Sequence, residues 1–156
     1  MTSNFEDLFS ELQTDIISLC FEYADGKVND IYTYCSIEEG IYAFDVFFGI
    51  HGSLYQKQNL NDANLPRHYH KYDTSPERQS ALLETGIEDL KRLKALLEKY
   101  DRPTPTELKL HYNIDTGRLS AEYKYEPVYT NHKTLTSEDI FDNWFDQIKE
   151  QTQLES

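Results

Sequence analysis

Glu107-Leu108-Lys109-Leu110-His111-Tyr112-Asn113-Ile114 and, beyond Asp115-Thr116-Gly117, Arg118-Leu119-Ser120-Ala121-Glu122-Tyr123-Lys124-Tyr125 form the stretch on which the fold is decided. Leu108, Leu110, Tyr112 and Ile114 alternate with Lys109, His111 and Asn113. After the turn, Leu119, Ala121, Tyr123 and Tyr125 alternate with Ser120, Glu122 and Lys124. Successive side chains of a strand point to opposite sides, so a period of two predicts an antiparallel hairpin with one core face and one wet face.

The neighbouring stretches supply partners for that hairpin. Downstream, Thr136 opens a predicted helix with Glu138 and Asp139 in its first turn, and Ile140, Phe141, Trp144, Phe145 and Ile148 share one side. Upstream, Ser75-Pro76-Glu77 is a helix start, with a capping residue ahead of a proline at the first helical position. The periodic stripe Leu83, Ile87, Leu90, Leu93, Leu97 and Tyr100 carries that helix to Arg102-Pro103-Thr104-Pro105. Gly86 inside it costs on the order of 1 kcal/mol relative to Ala, which points to close packing there.

Nearer the N-terminus, Ile31 to Ile37 and Ile41 to Phe48 are rich in β-branched and aromatic residues and flank Glu38-Glu39-Gly40, a second hairpin signal. A weaker strand is expected over Ser53 to Gln58, and Asn59 to Thr74 reads as a polar, irregular connection. The chain begins with an amphipathic helix from Asn4 to Tyr23, for which Ser3 and Glu6 form a candidate capping box. The element order is helix, two or three strands, long helix, two strands, helix. It predicts an α+β domain: an antiparallel sheet of four to five strands with helices packed on one face.

At 156 residues the chain suits a single core, and 38% hydrophobic with 13% aromatic residues argues against a disordered class. The net charge of −13 is uneven: residues 1–50 hold ten acidic side chains against one lysine, whereas 51–100 are nearly balanced. Such a field repels phosphate backbones and anionic membranes and attracts a basic partner, so direct nucleic-acid and membrane binding are disfavoured. High charge that only keeps the protein soluble is the competing explanation. Two cysteines, Cys20 and Cys35, are too few for a disulfide scaffold, no secretory leader opens the chain, and no apolar run reaches the length of a membrane span. The expected location is cytoplasmic.

Little in the sequence points to catalysis, and the expectation is a non-enzyme without a metal or cofactor. His68-Tyr69-His70 lacks the companions of a metal site and reads as a solvated loop, although a hydrolase using these histidines is a third possibility. Glu38-Glu39 and Glu138-Asp139 fit a turn and a helix start better than an acid–base pair. Cys20 and Cys35 fall in apolar segments and read as buried thiols. Tyr32 and Tyr34 point away from the side of Ile31, Thr33 and Cys35, which leaves two readings: a hairpin buried on both faces, or a tyrosine contact patch among carboxylates.

Ile31-Tyr32-Thr33-Tyr34, the aromatic second strand, the helix ending near Tyr100 and the hairpin Glu107 to Tyr125 together resemble the YezG-type immunity or antitoxin family. The resemblance spans 4–128, with the Trp144 helix a looser match, and the chain departs from it over Asn59 to Thr74. It implies an intracellular protein that binds and neutralises a cognate secreted or contact-dependent toxin, commonly a nuclease, by stoichiometric inhibition. An acidic inhibitor suits the basic cleft of a nuclease. The alternative is an acidic adaptor or chaperone without inhibitory activity. For the inhibitor, the expected partner-binding residues are Glu11 and Asp15 of the first helix, Glu38 and Glu39 of the first turn, and Asp45, with Tyr32 and Tyr34 as aromatic anchors.

Overall fold

The computed structural model describes residues 4–63 and 70–155, with side chains to 152. Its elements are α1 (Phe5–Tyr23), β1 (Asp30–Glu38), β2 (Ile41–Ile50), β3 (Ser53–Gln56), a 3₁₀ helix (Lys57–Asp62), α2 (Pro76–Lys99), β4 (Glu107–Asn113), β5 (Arg118–Lys124) and α3 (Ser137–Glu155). The expected α+β class holds: one five-stranded antiparallel sheet in the order β3-β2-β1-β4-β5. The strand expected to reach Gln58 stops at Gln56, where the 3₁₀ helix begins.

Local chemistry explains the boundaries. The cap of α1 is Asn4, whose Oδ1 accepts from the Asp7 N–H at 2.9 Å, while Ser3 of the expected capping box lies outside the described residues. Ser75 Oγ caps α2 by accepting from the Arg78 N–H, with Pro76 behind it. Thr136 and Asp139 cap α3 reciprocally: Thr136 Oγ1 accepts from the Asp139 N–H, and Asp139 Oδ2 from the Thr136 N–H. Both hairpins of the β1-β2-β3 meander close on two residues with positive φ, Glu39-Gly40 and His51-Gly52, the geometry whose twist matches that of the strands. Two residues suffice for the first turn, so Glu38 belongs to β1 and pairs with Ile41.

The sheet is sandwiched, which corrects the expectation of helices on one face. Ile31 and Cys35 of β1, Phe44, Val46 and Phe48 of β2, and Leu108 and Leu110 of β4 pack with α1 and α2. The alternate residues Tyr32, Tyr34 and Phe47 meet Phe141 and Trp144 of α3 on the other side, in a separate aromatic cluster. Both sides of the central β1 are apolar, and a sheet apolar on both sides needs two covers. Close packing at Gly86 is as expected: a Cβ there would stand 2.4 Å from the Phe44 ring.

β5 departs from its reading as a half-core strand. It is an edge strand, as β3 is at the other end of the sheet, and Leu119 and Tyr123 are each 39% exposed, with Tyr125 just past it at 55%. Its side toward α1 is only partly covered: Phe9 packs on Tyr123 at 6.2 Å, and Gln13 Nε2 donates to the Tyr123 hydroxyl at 2.7 Å.

Candidate protein-binding surface

The outer side of α1 carries charge of one sign. Leu12, Gln13, Ile16, Ile17, Cys20 and Tyr23 turn inward, and at 100° per residue this leaves Asp7, Glu11, Ser18 and Glu22 along the crest. From Asn4 to Gly26 there is no Lys or Arg, against six Asp or Glu. Arg102 approaches Glu6 at 3.6 Å, and Arg92 approaches Asp15 at 3.6 Å while also holding Asp89 at 3.2 Å. Among the described residues no cation lies within ion-pair distance of the Asp7, Glu11 or Glu22 carboxylates, although Arg78 donates to the Glu22 carbonyl. These carboxylates are solvated and unneutralised.

The seven expected contact residues do not form one patch. Glu11 and Glu39 are exposed, and Asp15 is half-buried beside Arg92. Asp45 lies on the opposite side of the sheet from α1, bonded to Lys57 Nζ at 2.9 Å and to the Val46 N–H at 2.8 Å. Tyr32 and Tyr34 are interior groups, 8% and 0% exposed, because α3 lies on them. Of the two readings of this hairpin, burial on both faces is the one the fold adopts. Tyr34 donates to Glu107 Oε2 at 3.4 Å, and burial next to that carboxylate pushes its hydroxyl pKa up.

Glu38 is also an interior group, 2% exposed. Its Oε1 accepts from the N–H groups of Val128, Tyr129 and Thr130 at 2.8, 3.2 and 3.0 Å, and from the Thr130 hydroxyl. Burial raises the carboxyl pKa, but these four donors outweigh it and hold the group below its usual range. Glu38 is thus a clamp on the segment leading into α3, as its place in β1 rather than in the turn dictates.

Other candidate chemistry resolves into structure. His70 Nε2 lies 2.9 Å from Asp25 Oδ2, and Arg78, which donates to the carbonyls of Glu22 and Tyr23, lies 3.6 Å from the same carboxylate; His68 is outside the described residues. No group of three or more His, Cys, Asp or Glu among the described residues is arranged to hold a metal ion. Burial pushes the Cys20 thiol up to about 12 and Cys35 well above the ordinary value, so neither is an activated nucleophile. No described helix is long and apolar enough to cross a membrane.

The surface feature missed in the sequence lies beside α1. Phe21 (42% exposed) and Leu119 border a groove of about 440 Å³ floored by Ile17, Tyr112 and Ile114, and no charged side chain lines it. The alternation in β5 gave no hint of this, because it records which residues share a face but not whether the strand ends the sheet. The sequence matches no protein-family model and no curated protein.

Proposed function

We propose that this protein is a cytoplasmic immunity protein, or antitoxin, that neutralises a cognate toxin, a nuclease with a basic substrate cleft, by binding it stoichiometrically. The observation that carries the reading is the crest of α1, where Asp7, Glu11 and Glu22 form no ion pair with any described cation on a chain of net charge −13. Carboxylates committed to folding are paired or hydrogen-bonded, as Glu38 and Asp45 are. Those of the crest are available to a partner. A field of this sign accelerates encounter with a basic protein, a kinetic advantage when free toxin is lethal. The resemblance of 4–128 to YezG-type immunity proteins supports the same reading.

The test is to mix the protein with the toxin domain encoded by the adjacent reading frame. A one-to-one complex with loss of nuclease activity is expected, and no complex at micromolar concentration would sink the proposal. A stable complex in which the nuclease stays fully active would instead favour the adaptor. In the double variant Glu11→Lys, Glu22→Lys, association should slow by about tenfold at low salt and depend less on salt. Both positions are exposed, so the melting temperature should hardly move.

A further inference from the structure

Exposed large apolar side chains are concentrated on one side of this protein. Among the described residues, Phe21, Leu119, Tyr123 and Tyr125 lie along α1 and the β5 edge, and only Ile41 stands elsewhere, in the first hairpin. In a chain with 28% charged residues, the groove that Phe21 and Leu119 border, with Tyr123 further along the same strand, has no charged lining. Beside it runs β5, paired with β4 on one side and, among the described residues, with no strand on the other. Antiparallel pairing uses the N–H and C=O groups of every second residue, so the alternate ones of β5 point outward. Many proteins blunt such an edge by shortening, bulging or covering it. This one is seven residues long and carries apolar side chains toward the groove.

We propose that the open edge of β5 receives an extended segment of a basic protein as a sixth strand. Such a strand would lie about 4.8 Å from β5 and set alternate apolar side chains against Leu119, Tyr123 and Phe21. The carboxylate crest of α1 rises beside the groove and favours Lys and Arg in the incoming segment. A second copy of this chain fits less well. It would bring two molecules of charge −13 together, and in the register that sets Leu119 opposite Tyr123 it would also set Arg118 opposite Lys124. This inference rests on the reading of the partner as a basic toxin and adds where and in what form it binds.

The experiment uses the full chain and the toxin domain of the adjacent reading frame. Amide exchange of wild-type protein, free and in complex, should show alternate β5 amides between Arg118 and Lys124 slowed at least about tenfold on binding. Leu119→Lys, at an exposed site, should weaken the complex about tenfold or more without lowering the melting temperature by more than a few degrees. A complex that forms while β5 exchange is unchanged overturns the edge and leaves the immunity reading standing. No wild-type complex removes that reading and this inference with it. If the isolated protein sediments as a dimer that Leu119→Lys dissociates, the occupant is a second copy and the proposal is wrong.

Discussion

The face of the sheet turned toward α1 and α2 is closed by two long helices and by apolar side chains from all five strands, whereas the opposite face is closed by one helix resting on Tyr32, Tyr34 and Phe47. Over β4 and β5 that second face stays open, with Lys109, His111, Arg118, Ser120, Glu122 and Lys124 in at least partial contact with water. The difference teaches that the fold has a principal core and an appended one. The first determines whether the sheet exists. The second determines whether the C-terminal helix is docked, and its few contacts predict a lower local free energy of opening.

Phe48, fully buried between the sheet and α1, should break the comparison hardest. Phe48→Ala is expected to cost about 4 kcal/mol and to lower the denaturant midpoint of the whole molecule. Trp144→Ala removes the ring that meets Tyr32, Tyr34 and Phe47, at a cost of about 3 kcal/mol. Its signature differs: amide exchange in α3 should become fast while β1 and β2 stay protected. Equal loss of protection in both regions would show that the two cores are one cooperative unit.

Glu38→Gln sharpens the contrast, since it weakens the clamp on 128–130 while leaving both apolar clusters in place. A cost of about 2 kcal/mol is expected at neutral pH. The folded-state pKa of Glu38 lies below its unfolded value, so its contribution is present above the unfolded pKa and fades as pH falls through the folded one. The wild type should therefore lose more stability than Glu38→Gln on acidification from pH 6 to about 3, as read by chemical denaturation. Equal losses would remove the clamp from the account. The smallest effect is that of Gly86→Ala, where crowding against Phe44 should outweigh better helix propensity by about 1 kcal/mol.

Elements were legible wherever the pattern was local. Ser75-Pro76 marked the start of α2, Leu90, Leu93 and Leu97 its inner side, although Leu82 and Gly86 rather than Leu83 and Ile87 are buried in its first half, and the alternation from Leu108 to Tyr123 marked the β4-β5 hairpin. Sheet order was not legible, because nothing in Leu119-Ser120-Ala121 says whether another strand lies beyond it. The seven expected contact residues divide along the same line. Glu11, on a helix with one clear inner stripe, was correctly read as exposed. Glu38 was misplaced, and the two tyrosines follow the doubly buried reading of their hairpin rather than the anchor role, because their burial depends on α3 and the 128–130 segment, 90 or more residues away in sequence. Asp45 was legible as polar but not as the partner of Lys57, since a long-range ion pair leaves no local trace.

The crest of α1 has a consequence for divergence. Among the described residues Asp7, Glu11 and Glu22 pair with no cation, so their number, spacing and even sign can drift with little effect on stability. Glu38, by contrast, is fixed by the backbone it clamps. A lineage built on this scaffold could therefore change what it recognises one surface charge at a time, with each intermediate still folded.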